Sequence, residues 1–489
     1  MVASLAVALL LATLCAGDPI HLPITRRSSR VRTAADHFAA GDNARARYSF
    51  PASANLNSTS KRMLRRASSD GLAVVNQEAD SSYFSTLQIG TPGQSFNVIL
   101  DTGSSDLFVL DSNCRQCVAS ATLFDSSKSS TFNQKSDQVT EITYGSGSVQ
   151  GFVSTDTVSM GSFTMASQGF LLVEALDQGL VQGSVSGLIG LAFQGLAETQ
   201  AVPFWQALVN NNQLSSPEMA FQLTRSQSAN DEPGGTFTLG GTNSSLFSGN
   251  IEFTNLAASS TPTFWLLSVA ALTVQGKAVS IPTGNAALAA IDTGTTALGG
   301  PTDAVNAIWA AVPGASSVEQ GFFQFPCSTS VQVTLSFGGT AWPINSDDMN
   351  LGPVRQGSSM CVGAIFDLTN GGEADLGAPS WVIGDTFLKN VYSVFRQSPM
   401  SVGFAQLASD AASGSVAPSA PASIPGAPPI PSAGTSASLS KTAATKLTLD
   451  DGNHGTTESD HWFIRSPGDT WRDDIFPATS QQYWCIYTT

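Results

Sequence analysis

The chain has 489 residues and a formal net charge of −15, with 37 Asp and Glu against 22 Lys and Arg. A chain this acidic is a poor partner for nucleic acid, whose binding rests on neutralised phosphates. All four histidines, His21, His37, His454 and His461, lie outside residues 73–407. That stretch therefore cannot run a Ser-His or Cys-His nucleophile and has no imidazole for a usual zinc site, so any chemistry there falls to carboxylates, hydroxyls or backbone.

In chain order, residues 2–14 form a short apolar run, ending in Cys15-Ala16-Gly17. It is too short to cross a bilayer comfortably and is followed by small residues, so residues 1–17 are expected to be a signal peptide. That implies an oxidising compartment. Residues 1–72 carry ten Lys and Arg against four Asp and Glu, whereas residues 73–407 carry eight against 25. Residues 18–72 hold the dibasic pairs Arg26-Arg27, Lys61-Arg62 and Arg65-Arg66. Such a basic segment reads either as a solvated linker or as a propeptide removed near Arg66. An acidic, carboxylate-centred partner gives it an electrostatic reason to cover a cleft, which favours the propeptide. Excess carboxylate also suits work at low pH, where self-repulsion falls.

From Tyr83 the pattern changes to short strands and glycine turns. Tyr83–Ile89 alternates, Gly90–Gly93 turns, and Phe96–Leu100 leads to Asp101, the signature of a hairpin. Trp205–Val209, introduced by Pro203, is a helix candidate, and Pro301–Val312 reads as a helix with Pro in its first turn. Residues 262–267 are a candidate connection between two halves. The expected halves are 73–262 and 263–407. An Ala/Ser/Pro-rich linker follows at 408–446, then a polar tail at 447–489 without the apolar end of a lipid-anchor signal.

Two motifs recur. Val98-Ile-Leu-Asp101-Thr102-Gly103-Ser104-Ser105 matches Ala289-Ala-Ile-Asp292-Thr293-Gly294-Thr295-Thr296. The apolar-glycine segment Gly187–Leu191 places Gly190 89 residues after Asp101, and Trp381–Asp385 places Gly384 92 residues after Asp292. Matched spacing of a duplicated pair predicts two related lobes with their carboxylates facing. One Asp-Thr-Gly alone would be an ordinary turn. Two carboxylates at about 3 Å cannot both ionise and share one proton. The ionised member can take a proton from water while the protonated member donates to a carbonyl, which is amide hydrolysis by general acid–base catalysis. Gly103 and Gly294 permit close backbone approach. Ser104 and Thr295 are placed to donate to the outer carboxylate oxygens.

The cysteines within the core, Cys114, Cys117, Cys327 and Cys361, allow three connectivities, of which local pairing is the simplest. A redox or metal role for Cys114-Arg-Gln-Cys117 lacks a second such pair and a nearby His. Gly145–Gly151 matches neither nucleotide-binding glycine motif, and its strand-like flanks, 139–143 and 152–158, make a hairpin instead.

On these residues the chain resembles the pepsin-like aspartic proteases of the secreted fungal kind, over residues 73–407. The likeness rests on Ile89–Gln94, both Asp-Thr-Gly motifs, Ile142–Gly147, Gly187–Ala192 and Val382–Phe387. The resemblance implies a mostly β, bilobal fold with a cleft for an extended peptide. It implies an aspartic endopeptidase made as a zymogen, with Asp101 and Asp292 catalytic and supported by Thr102, Gly103, Ser104, Thr293, Gly294 and Thr295. Tyr144, Gly145 and Ser146 would tip a flap over substrate. It further implies disulfides Cys114–Cys117 and Cys327–Cys361, and a preference for bulky apolar residues beside the scissile bond. Phe108 stands where the family often has Trp, which removes an indole N–H that would help hold Tyr144. Thr296 replaces a common Ser and keeps the hydroxyl. A catalytically silent binding protein on the same scaffold is the alternative, but such members usually have a damaged motif. A two-carboxylate glycosidase leaves the repeat and the flap unexplained. Asn57-Ser-Thr59 and Asn243-Ser-Ser245 fit the glycosylation pattern, and the first would leave with the propeptide. The expected partners are protein or peptide substrates, with no cofactor, metal or nucleic acid, no transmembrane segment, and a monomeric state. The expected location is extracellular, vacuolar or wall-attached.

Overall fold

A computed structural model describes residues 17–26, 33–51 and 83–409, apart from 115–116, 118–119, 146, 178–179, 182, 226–231, 260 and 376. Residues 1–16 of the expected signal peptide, Asn57, the dibasic pairs beyond Arg26, Ser146, and the linker and tail from residue 410 lie outside the described residues.

The fold is mostly β. Among the described residues, the largest sheet has thirteen strands, and three further sheets have five, four and four. The two repeats build the same local topology. In the first, the strand Gln94–Asp101 runs parallel to Val185–Gly190, with Asp101 opposite Gly190. Val185–Gly190 pairs antiparallel with Leu107–Leu110, which pairs parallel with Phe163–Leu176. In the second, Leu288–Ile291 runs parallel to Trp381–Ile383. Trp381–Ile383 pairs antiparallel with Leu298–Gly300, which pairs parallel with Ile365–Asp367. These inner strands are buried on both faces and so read as continuous apolar runs. A register slip of one residue would turn either Asp into the core.

The halves also share a sheet. Glu218–Leu223 and Phe247–Asn255 pair with Tyr392–Gln397 and Met400–Leu407 respectively. The strand Ile20–Arg26 joins the same sheet, along Glu232–Leu239 and briefly along Tyr83–Ile89. Pro23 is tolerated because only Thr25 and Arg26 pair on that second side. Beneath the first repeat lies an aromatic bolt. Phe193 and Trp265 have ring centroids 4.4 Å apart. Trp205 Nε1 donates to the Ala192 carbonyl and Trp265 Nε1 to the Leu191 carbonyl, both at 2.9 Å. Both buried indoles thus keep a polar partner while fixing the chain just beyond Gly190.

The expected hairpin at 83–100 forms, as Tyr83–Ile89 and Gln94–Asp101. Helix α1 spans Ala34–Arg47, α2 spans Phe204–Asn210 and α3 spans Thr302–Ala310. α2 and α3 are the expected helices, though Pro301 sits at the N-cap of α3, one residue before its first turn. α1 is not anticipated by apolar periodicity. It starts on a capping box in which Thr33 and Asp36 satisfy each other's backbone N–H groups.

Cys114–Cys117 and Cys327–Cys361 are disulfide-bonded, with sequence separations of 3 and 34. Loop-closure entropy makes the second worth about 4 kcal/mol and the first about 2. Replacing Cys327 and Cys361 with Ala is expected to cost correspondingly more in denaturant midpoint than replacing Cys114 and Cys117. Equal losses would contradict this.

Candidate active site

Each Asp sits at the end of its inner strand, where the Asp-Thr-Gly turn takes the chain out of the sheet. Asp101 and Asp292 are both fully buried. The two turns are interlocked by their threonines. Thr102 Oγ1 donates to the Ile291 carbonyl and Thr293 Oγ1 to the Leu100 carbonyl, both at 2.8 Å. Each hydroxyl also accepts the other threonine's backbone N–H at 3.0 Å. These four reciprocal bonds tie the two strand ends together and set the spacing of the carboxylates.

The carboxylates have matched surroundings. Gly103 N donates to Asp101 Oδ1 at 2.9 Å, and Gly294 N donates to Asp292 Oδ1 at 2.7 Å. Ser104 Oγ donates to Asp101 Oδ2 and Thr295 Oγ1 to Asp292 Oδ2, both at 2.7 Å. Gly103 abuts the opposite carboxylate: a Cβ there would lie 2.5 Å from Asp292 Cγ, and one at Gly294 would collide with Asp101 Oδ1. The pair can be this close only because both residues lack side chains.

Arg47 and Tyr48, at the end of α1, occupy the same place. Arg47 Nη1 lies 3.1 Å from Asp101 Oδ1 and 3.0 Å from Asp292 Oδ2, and Nη2 donates to Asp101 Oδ2 at 3.2 Å. The Tyr48 hydroxyl donates to Asp292 Oδ2 at 2.8 Å. Burial pushes the Asp101 carboxyl up and Arg47 pulls it back, but with Asp292 beside it the net direction is upward. Asp292 feels the same burial, yet Arg47, Thr295, Tyr48 and Gly294 outweigh it and hold its carboxyl below the ordinary value. The pair therefore titrates asymmetrically, as one unit. Burial opposes the Arg47 charge, but the two carboxylates overcome this and hold its proton more tightly than usual.

Tyr144 and Gly145 lie at the tip of the hairpin Asn133–Tyr144 and Gly147–Met160, with Tyr144 opposite Gly147. The hairpin closes onto α1, where a Cβ at Gly145 would collide with the Asn43 carbonyl. The Tyr144 ring packs on Phe108 with centroids 5.7 Å apart. Its hydroxyl is buried without a hydrogen-bond partner, as the missing indole at position 108 leads one to expect. Burial, with Asp106 and Asp101 nearby, pushes that hydroxyl's pKa well up. An unpaired buried hydroxyl costs about 1–3 kcal/mol. Tyr144→Phe is accordingly expected to leave the melting temperature of the full chain unchanged or raise it; a drop of several degrees would mean the hydroxyl has a partner.

The family model described as "Eukaryotic aspartyl protease" matches residues 82–407. The chain belongs to that family. It is 38% identical over 361 residues to the "Major aspartyl peptidase 1" of Cryptococcus neoformans var. grubii, covering 71% of this chain and 73% of that one. It is 32% identical over 404 residues to an "Aspartic protease" of Phaffia rhodozyma, covering 79% and 91%. It is 30% identical over 342 residues to "Cathepsin D" of Gallus gallus, covering 68% and 82%. The protein is an aspartic-type endopeptidase with the pepsin-like, mostly β fold, and its substrates are proteins. Among the described residues, no helix is long and apolar enough to cross a membrane, and no group of three or more His, Cys, Asp or Glu could hold a metal ion.

Arg47 and Tyr48 are the site residues that sequence reasoning missed. Their ion pair and hydrogen bond span 54 to 245 positions, so no local pattern announces them. The capping box ahead of α1 would have revealed the helix, though not its target.

Proposed function

We propose that the chain is the precursor of a secreted endopeptidase that cleaves peptide bonds at acidic pH with a water activated between Asp101 and Asp292. The observation that carries this is the symmetric support of two buried carboxylates by Gly103, Ser104, Gly294 and Thr295. One proton is shared. The ionised carboxylate takes a proton from the water as its oxygen bonds to the scissile carbonyl carbon, and the protonated one donates to the carbonyl oxygen. Collapse of the tetrahedral intermediate breaks the C–N bond and delivers a proton to the leaving amine. Thr102 and Thr293 act as positioning residues. Tyr144 and Gly145, with Ser146 beside them in sequence, would close over the substrate.

Residues 18–72 are the propeptide in this reading, 73–262 and 263–407 the two lobes, and 1–17 a signal peptide. Arg47 supports the zymogen by filling the place a water and a carbonyl need. The two disulfides suit an oxidising compartment. Asn243 is a glycosylation candidate in a turn where its Oδ1 accepts from Ser245 at 2.7 Å.

The test is digestion of a denatured protein between pH 2 and 7 by the acid-activated chain, with and without a statine-type inhibitor. Acid-side cleavage abolished by the inhibitor is expected. Absence of cleavage at every pH, after confirmed removal of the N-terminal segment, would overturn the reading.

A further inference from the structure

Arg47 is not the most enclosed cation of α1. Arg45, two residues earlier, is completely buried. Its guanidinium leaves the helix for the C-terminal half. Nε donates to the Asp367 carbonyl at 3.0 Å, Nη2 donates to the Gln320 carbonyl at 2.8 Å, and Nη2 also reaches the Asp367 carbonyl. The cation lies over the Phe366 ring, 5.5 Å from its centroid. Its fourth partner, Asp42, belongs to α1 itself, through Nη1 at 2.6 Å.

The receiving surface is shaped for this group. Gly321 has a φ of +72°, and a Cβ there would lie 2.5 Å from Arg45 Nη2. Gln320 also has a positive φ, of 55°, which turns its carbonyl within the same tight loop. Gln320 Oε1 is buried without a hydrogen-bond partner in that loop. Phe366 is held by stacking on Phe322, with centroids 5.0 Å apart. Two carbonyl acceptors and an aromatic face fit a planar, multi-donor cation and match an ammonium poorly. None of these groups departs with the propeptide. When α1 leaves, both carbonyls are left as open acceptors facing the space that Arg45 filled.

We propose that the cradle of Gln320, Gly321, Phe366 and Asp367 is a specificity subsite of the mature cleft that binds a substrate arginine. The proposal rests on the propeptide reading above. The same helix sets Arg45 on this cradle and Arg47 on the dyad, so the subsite is a place on the covered surface separate from the two carboxylates. An apolar scissile pair and an arginine a short way off would then be read together, and Arg45 anchors the propeptide by mimicking that substrate arginine.

The experiment uses the acid-activated protein and peptides sharing one apolar scissile pair. Arginine is placed at each outer position in turn, beside matched lysine and citrulline peptides. At one position, arginine is expected to exceed both in kcat/KM by about tenfold or more, as for a charge-assisted contact. That ratio should fall toward one in Gly321→Ala, which intrudes on the guanidinium, and in Phe366→Leu, which removes the ring. Because the ratio is taken within each variant, a general loss of activity cancels. Equal rates for arginine and citrulline at every position would overturn the subsite, as would a preference that survives both substitutions. Failure of the activated protein to cleave any peptide would instead overturn the protease mechanism on which the subsite depends.

Discussion

Asp101→Asn and Asp292→Asn are each expected to lower turnover of the activated protein by about 10²–10⁴-fold or more, the usual worth of acid–base catalysis. Asn has the shape of Asp and can still accept the N–H of Gly103 or Gly294, so the turn should survive. It can neither take up nor release the proton that hydrolysis moves. Because the carboxylates act as a unit, the double variant should be scarcely worse than either single one. Because the variants need not activate themselves, they are processed with a trace of affinity-tagged wild-type enzyme that is then removed. Steady-state cleavage of one peptide gives the result. Either variant retaining a tenth of wild-type activity would remove that residue from the mechanism.

Arg47→Met in the full chain is expected to shorten latency by roughly 10²-fold or more. Arg47 is 15% exposed in its side chain and pairs with two fully buried carboxylates. Removing one member of such a group costs about 3–5 kcal/mol, because the charge left behind is buried and uncompensated. In the proposed precursor the cost falls on the clamped state alone, since the carboxylates would regain water when the segment leaves. Acid should achieve the same release in the wild type. Asp292, held below its ordinary value, contributes stability that is present above about pH 4 and lost as pH falls through the lowered value. Asp101 is raised, so its contribution is complete below about pH 4 and lost as pH rises through the raised value. On acidification Asp101 therefore takes a proton first, and the Arg47 pairing with Asp292 fails last. The lag before peptide cleavage, followed at several pH values, reads both effects. A variant as latent as wild type at every pH would show that the Arg47 contacts do not hold the propeptide.

The legible parts of the chain were those whose signal is local. Asp101 and Asp292 stand in a duplicated phrase, and Ser104 and Thr295 follow each at the spacing that lets a hydroxyl reach back to the carboxylate. The hairpin carrying Tyr144 was legible because strand-like flanks border a glycine-rich turn. The order of the large sheet was hidden, since pairing of Phe247–Asn255 with Met400–Leu407 leaves no mark in either segment. The strand Ile20–Arg26 was hidden because its basic, Ser- and Ala-rich surroundings read as a propeptide with little apolar periodicity, and its pairing partners lie far along the chain. α1 was hidden because its buried residues are selected by the cleft it fills. Gly41 leaves no room for a Cβ against the Phe322 ring, and Arg45 and Arg47 find their partners in distant segments.

In the proposed mechanism two carboxylates share one proton in the working enzyme. The pH dependence of kcat/KM between pH 2 and 7, for the activated wild type on a single uncharged peptide, tests it most directly. A bell on the acid side is expected, with two apparent pKa values belonging to the pair and cleavage fading toward neutrality. A rate that rises through a single ionisation to a plateau at neutral pH would contradict it.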